Sequence, residues 1–192
     1  MGALDTLLTV LSFADLDTPG QAEHGGVPVR ELTIGTGDRG ARQMVKVMGE
    51  VARAALRNPL TIEAVETIIP VSVSEADTIF YLREWLAARF LFLPDPHGVE
   101  LLRTPDYLLN KIFSEGHGRG DCDDAATLAA ALGLAAGLPA RFVLFSFGDS
   151  LPLSHVFCEL YAPCTGWQEL DVTRPDQMPE GMRVARAESH EV

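Results

Sequence analysis

The most reactive residue type in this chain is cysteine, and Cys122 stands where a helix is predicted to begin. Asp121 is a good N-cap residue, so Cys122 would be the first helical residue, with Asp123 and Asp124 behind it in the first turn. The unpaired N–H groups of a helix start favour an anion and lower a thiol pKa. The three carboxylates raise it again, so a reactive thiolate would need a positive partner.

His155 is the candidate partner, because it opens a predicted strand whose alternation puts His155 and Cys158 on opposite faces. A histidine facing a helix-start thiol can form the thiolate–imidazolium pair of cysteine hydrolases and acyltransferases. Asp171, near the end of the next predicted strand, has the right face to reach the far nitrogen of His155 and set its tautomer. Cys122, His155 and Asp171 are therefore predicted as nucleophile, base and orienting acid.

Two alternative roles compete for the same residues: a purely structural role and a zinc site. Cys122 could be a small residue near a helix end, with the aspartates as caps. Cys122, His155, Cys158 and Cys164 could instead bind zinc as a Cys₃His set. Strand alternation separates His155 from Cys158, and the chain contains no C-x-x-C pair. We therefore expect no metal and no cofactor, with Cys158 in the core and Cys164 in a turn.

A glycine motif precedes the first long helical pattern. Gly35, Gly37 and Gly40 form G-x-G-x-x-G after a predicted strand, which is the local context of a dinucleotide loop. No second parallel strand ending in an acidic residue follows at the usual distance. The motif is therefore interpreted as a turn that leads into a helix.

The elements that must position these residues are predicted as helices followed by strands. Helices are expected over residues 41–57, 61–69 and 74–90, from Thr104 to about Gly116, and from Asp121 to Gly137. Strands are expected at 27–34, 141–147, 155–161 and 167–172. This order predicts an α+β fold with an antiparallel sheet. We expect one domain over residues 27–178, between an N-terminal arm (1–26) and a C-terminal tail (179–192).

Composition narrows the possible partners and the compartment. The net charge of −12 would repel nucleic acid and anionic lipid, so neither is expected as a partner. The N-terminal run carries Asp5 and no positive region, and no run reaches membrane-spanning length. Three cysteines, an odd number, argue against a disulfide framework. A cytoplasmic protein is predicted.

Residues 74–173 resemble the transglutaminase-like superfamily. The resemblance lies in three blocks that occur in the order of the family: "GDCDDAATLAAALGLAAGLPAR", "HVFCELY" and "GWQELDVT". The resemblance implies a papain-like core with Cys122 as nucleophile, His155 as general base and acid, and Asp171 as orienting residue. The "GDCDD" form and "GTGDRGARQMVKVM" look most like members encoded by tailed phages and prophages. Host cytoplasm or a virion would then be the location. No glutamine lies between Gln43 and Cys122, so the second oxyanion donor stays open, with Asn110 and His117 as candidates.

The sequence thus predicts a cysteine-dependent acyl-transfer enzyme acting on a protein or peptide substrate. Hydrolysis of peptide or isopeptide amides through a thioester is favoured, because transamidation needs a cleft that excludes water and admits an amine. From a different class, the chain could be a phage virion or tail-assembly protein. Such a protein would use the same fold as a scaffold for phage structural proteins or as a cross-linker.

Overall fold

The computed structural model describes residues 6–11, 22–24, 27–97, 100–148, 151–173 and 186–192. Within these ranges the helices are α1 (Gly37–Ala55), α2 (Pro59–Ile68), α3 (Glu75–Arg89), α4 (Pro105–Glu115) and α5 (Cys122–Ala135). The strands are β1 (Thr6–Leu11), β2 (Ala22–His24), β3 (Val27–Ile34), β4 (Phe90–Phe92), β5 (Glu100–Arg103), β6 (Gly118–Gly120), β7 (Ala140–Ser146), β8 (His155–Ala162), β9 (Gly166–Leu170) and β10 (Arg186–Glu191). None of these described helices has both the length and the apolar character needed to cross a membrane.

The five predicted helices are confirmed, with small shifts at their ends. Asn58 caps α2 by accepting the Leu60 N–H at 2.9 Å, and Ser74 caps α3 by accepting the Asp77 N–H at 3.2 Å. α1 begins at Gly37, earlier than predicted. Gly37 has a φ of 59°, a conformation that glycine adopts without strain, so the chain turns from β3 into the helix inside the glycine motif.

The sheet that carries His155 is fully antiparallel and has the strand order β10-β7-β8-β9. The three strands predicted for this sheet, β7, β8 and β9, are confirmed, and together with the helices that precede them they give the predicted α+β fold. In register, His155 lies opposite Phe145, and Cys158 lies between Phe142 and Leu170. The loop that precedes β8 therefore brings His155 to the beginning of a central strand.

Contacts on β8 follow the predicted alternation. Glu159 forms an ion pair with Arg141 at 2.6 Å, on the face that also carries the His155 ring. Leu160, on the other face, packs so tightly against α5 that a Cβ at Gly133 would overlap its side chain. β8 thus packs one face on the nucleophile helix.

Both terminal segments contribute strands, which the prediction of an arm and a tail does not account for. β1 pairs antiparallel with β3 and parallel with β5, in a sheet of order β2-β3-β1-β5. β10 pairs antiparallel with β7 at the edge of the His155 sheet. The boundaries at residues 26 and 178 stay predictions, but the segments beyond them are joined to the sheets.

Helix α5 runs through the core of the molecule. Its residues from Asp123 to Gly133 are all buried, and most of them are alanine or leucine. Alanine favours helix and adds little bulk, so β8, α1 and other elements can pack closely around it. Burial of the helix holds its first residue, Cys122, in a defined place.

Candidate active site

The nucleophile candidate lies where the sequence predicts. Asp121 is the N-cap of α5 and Cys122 is its first residue, half-buried. The backbone N–H of Asp121 donates to Asp124 Oδ2 at 3.2 Å, as in a capping box. Local helix-start chemistry thus places the thiol at the positive end of the helix.

His155 and Asp171 are joined by a hydrogen bond. The Nε2 atom of His155 lies 2.7 Å from Asp171 Oδ2. The other carboxylate oxygen of Asp171 accepts both the N–H and the hydroxyl of Thr173, each at 3.0 Å. The imidazole also contacts the Phe145 ring edge-on, with centroids 4.9 Å apart. The ring is therefore held on two sides, and its Nδ1 is the nitrogen left for a partner in the cavity.

Cys122 and His155 line one cavity of about 500 Å³. Among the described side chains no hydrogen bond joins the Cys122 sulfur to the imidazole, although both groups face this space. Hydrogen bonds of this kind often tighten only when substrate binds. The structure therefore brings nucleophile and base candidates to a common wall, and their direct contact stays a prediction.

Another part of the cavity wall is built from the glycine motif and the first half of α1. Gly35, Thr36 and Gly37 line the cavity beside Met44 and Met48. Within the motif the turn is tight, because a Cβ at Gly40 would overlap the Gly35 carbonyl. The expected turn into a helix is thus present, and it also forms part of the cleft, which the glycine pattern alone does not predict.

One hydrogen bond and two ion pairs tie this wall to the loop before His155 and to β10, an edge strand of the same sheet. Asp38 in α1 accepts the N–H of Leu153, in the loop before His155, at 2.9 Å and also binds Arg186 of β10. Arg42 makes a two-pronged pair with Glu188 at 2.7 and 2.8 Å. The C-terminal strand therefore helps to hold the cleft wall in place.

The Cys122 thiol is not activated by its local surroundings. Burial raises its pKa to about 12, and the charges of Asp121 and Asp171 act in the same direction. The backbone N–H groups of Val156 and of Cys122 itself favour the thiolate, but they do not offset burial. A thiolate at Cys122 therefore needs a positive partner in the folded structure, as the sequence predicts.

The three aspartates of the helix start have different environments. Burial, helped by a hydrogen bond to Asp121, raises the pKa of Asp123 well above its usual value. Asp124 is fully buried, and burial raises its pKa to about 7 against the lowering effect of Arg103. The sequence does not predict Arg103 as the partner of Asp124, because a single arginine forms no pattern that indicates a buried ion pair.

Neither oxyanion candidate named from the sequence reaches the cavity. Asn110 is exposed in α4, and its carbonyl accepts the Ser114 hydroxyl at 2.7 Å. His117 contacts Arg119 at 3.0 Å on the surface. The backbone N–H groups of Cys122 and Val156 both act on the sulfur and favour its thiolate.

The residues of the zinc alternative are spread apart. Cys158 is fully buried in β8 and Cys164 is exposed in the turn before β9. Neither lines the cavity that holds Cys122 and His155. Carboxylate oxygens of Asp121, Asp123 and Asp124 do lie within 4.8 Å of one another. Arg103 already binds Asp124, and Asp121 is the N-cap of α5, so helix capping and the ion pair explain this cluster.

One solved structure has a fold similar to that of this chain. A crystal structure of a candidate protease from Parabacteroides distasonis aligns with a TM-score of 0.53 and 13% identity, covering 85% of this chain and 37% of that one. A candidate cysteine protease from Cytophaga hutchinsonii aligns with a TM-score of 0.45 and 15% identity, covering 86% of this chain and 62% of that one. The chain thus spans well under two thirds of the first structure.

The remaining comparisons concern sequence. No curated protein matches the chain. The predicted phage or prophage origin gains no support from any of the matches. The sequence profile of the transglutaminase-like superfamily matches residues 73–172, which contain the helix-start cysteine, the strand histidine and Asp171. The match spans more than half of the chain, and the chain therefore belongs to the transglutaminase-like superfamily.

Proposed function

We propose that this protein is a cysteine-dependent acyl-transfer enzyme that hydrolyses peptide or isopeptide amides through a thioester. Membership of the transglutaminase-like superfamily supports a cysteine-enzyme type. The observation that carries the proposal is the His155–Asp171 hydrogen bond of 2.7 Å beside a cavity that Cys122 also lines. A histidine held this way can accept a thiol proton and keep one tautomer.

The proposed reaction runs in two halves. His155 Nδ1 takes the Cys122 proton as the sulfur attacks the amide carbonyl, and the tetrahedral oxyanion is stabilised by the backbone N–H of Cys122. His155 then gives the proton to the leaving amine, and the C–N bond breaks to leave a thioester. In the second half His155 removes a proton from water, the hydroxide adds to the thioester, and the acid leaves as the thiol is restored.

His155 has to supply the driving force for the first step. The thiol, with a pKa near 12, is protonated at neutral pH unless the imidazole accepts its proton. Asp171 stabilises the imidazolium that results, because its carboxylate is already bonded to Nε2. The proposed activity therefore depends on the pair more than on the helix dipole.

Water is the proposed acyl acceptor, and an amine acceptor is the competing outcome. Transamidation would require a cleft that excludes water and admits an amine, and no described feature supports such a cleft. The virion, scaffold and cross-linking functions are likewise unsupported by the family match or by the geometry. We therefore propose hydrolysis alone.

The test is turnover of a peptidyl-coumarin amide library by wild type, Cys122→Ala and a matched Cys164→Ala control. We expect hydrolysis by wild type and Cys164→Ala and a loss of at least about 10³-fold in Cys122→Ala. Hydroxylamine should divert the thioester to a hydroxamate. Undiminished turnover in Cys122→Ala would overturn the proposal, and so would absence of turnover together with a Cys122 thiol no more reactive than Cys164.

A further inference from the structure

A buried arginine lies behind the nucleophile helix and takes no part in the proposed reaction. Arg103, the last residue of β5, is 7% exposed. Its backbone N–H donates to Asp124 Oδ1 at 2.6 Å and its guanidinium donates to Asp124 Oδ2 at 2.5 Å. The guanidinium also reaches Asp95 Oδ1 at 3.2 Å. Arg103 thus holds both oxygens of one fully buried carboxylate.

We propose that Arg103 is a positioning residue for Cys122, acting through Asp124 to set where the nucleophile helix begins. Asp124 is the third residue of α5, and the same oxygen that binds the guanidinium accepts the Asp121 N–H. The backbone of the N-cap residue is therefore connected to β5 through one carboxylate. Cys122 lies between these two tied residues, so its sulfur and its N–H are located by the connection. This inference rests on the proposed function.

A neighbouring glycine leaves room for this arrangement. Gly120, in β6, lies just before the N-cap, and a Cβ there would overlap the Asp124 carboxylate. β6 pairs with β4, and the Leu93 N–H donates to the Gly120 carbonyl at 2.7 Å. The segment entering α5 is therefore held by a strand on one side and by the carboxylate on the other.

Stability alone is a weak reason to bury such a group. Removing a charged pair from water carries a large desolvation penalty, and replacing the whole pair with apolar residues of similar volume is often neutral or stabilising. The network also includes the segment before β5, because Asp95 accepts the Leu101 N–H at 2.5 Å as well as the guanidinium. The arrangement is therefore suited to fixing geometry, which the apolar replacement would not reproduce.

The experiment compares Arg103→Met, Arg103→Lys and the double variant Arg103→Met/Asp124→Leu with wild type. Arg141→Met is the matched control, since it also removes an arginine ion pair, here with Glu159, away from α5. We expect the double variant to keep a thermal midpoint close to wild type. In the double variant, the rate at which iodoacetamide labels Cys122 at pH 7 should fall at least about 10-fold. The rate in Arg103→Lys should lie between those of the double variant and wild type, and the rate in Arg141→Met should equal that of wild type.

A second readout does not depend on activity. Amide hydrogen exchange at Asp121 reports the bond to Asp124, and we expect it to speed up by at least about 10-fold in Arg103→Lys while the core of α5 stays protected. Wild-type exchange at Asp121 in that variant would overturn the inference, as would wild-type labelling in a folded double variant. A different outcome would separate the two proposals. If wild-type Cys122 is labelled slowly but the Asp121 amide exchanges fast in Arg103→Lys, the proposed function is rejected and the positioning role of Arg103 is kept.

Discussion

The imidazole of His155 and the carboxylate of Asp171 meet at 2.7 Å, through Nε2 and Oδ2, next to the cavity that Cys122 lines. Burial alone would raise the pKa of Asp171, but the bonds from His155 and Thr173 hold it below its usual value. The carboxylate is therefore charged at neutral pH, and it leaves Nδ1 as the nitrogen that can serve the thiol.

Substitution of Asp171 should separate orientation from charge. Asp171→Ala should lower kcat/KM by roughly 10²–10⁴-fold, while Asp171→Asn should lose less because its amide oxygen can still accept from Nε2. The lowered native pKa means that the charge stabilises the fold above the unfolded pKa of about 3.9. The stability difference between wild type and Asp171→Asn should be full above about pH 5 and vanish as pH falls through the native pKa. A constant difference down to low pH would contradict the ion pair.

Labelling of Cys122 should report the proposed thiolate–imidazolium pair. We expect Cys122 to react with iodoacetamide at pH 7 at least about 10-fold faster than the exposed Cys164, because His155 accepts the thiol proton. In His155→Ala burial is unopposed, so reactivity should appear only at a higher pH than in wild type. The labelling rates of Cys122 and Cys164 are measured by mass spectrometry at several values across about pH 5–10. An identical pH profile in His155→Ala would show that no such pair exists.

Two aspartates of the helix start should affect the thiol differently. Asp121→Asn should lower the Cys122 pKa, because the charge of Asp121 is the largest electrostatic contribution after burial. Asparagine is as good an N-cap, so the helix should keep its stability. Asp123→Asn should change little, since burial already favours the neutral form of Asp123. The measurement is the pH midpoint of labelling, and an equal shift in both variants would count against this assignment.

Cys158 should be replaceable without effect on the candidate site. Its side chain is fully buried, burial raises its thiol pKa, and its strand face is opposite to that of His155. Cys158→Ala should cost about 1 kcal/mol of unfolding free energy through the small cavity it leaves. Cys122 labelling should be unchanged. Bound zinc that disappears in Cys158→Ala would contradict the placement.

Substrate charge should matter at this cleft. The described lining residues include the acidic Glu100 and Asp121 and contain no lysine or arginine. Peptides with lysine or arginine near the scissile amide should therefore have higher kcat/KM than matched peptides with glutamate, and added salt should narrow the preference. Glu100→Gln should weaken it as well. A preference for acidic peptides would contradict the expectation.

Interactions between residues close in the sequence made part of the candidate site predictable. The N-cap preference of Asp121 fixes where α5 begins and so where Cys122 lies, and this was predicted because capping involves neighbours in the chain. Strand alternation separated His155 from Cys158 for the same reason. Both predictions depend on residues only a few positions apart.

Tertiary structure decided which distant groups meet. Arg103 reaches Asp124 across 21 positions and Asp38 reaches Leu153 across 115, and no periodic pattern encodes such pairs. β10 was missed because an edge strand needs few apolar residues, and "RAESHE" exposes most of its side chains. The sequence determined the helix start, the strand faces and the family. The cleft wall and the buried ion pair came from packing, because contacts between distant residues form only when the core brings their elements together.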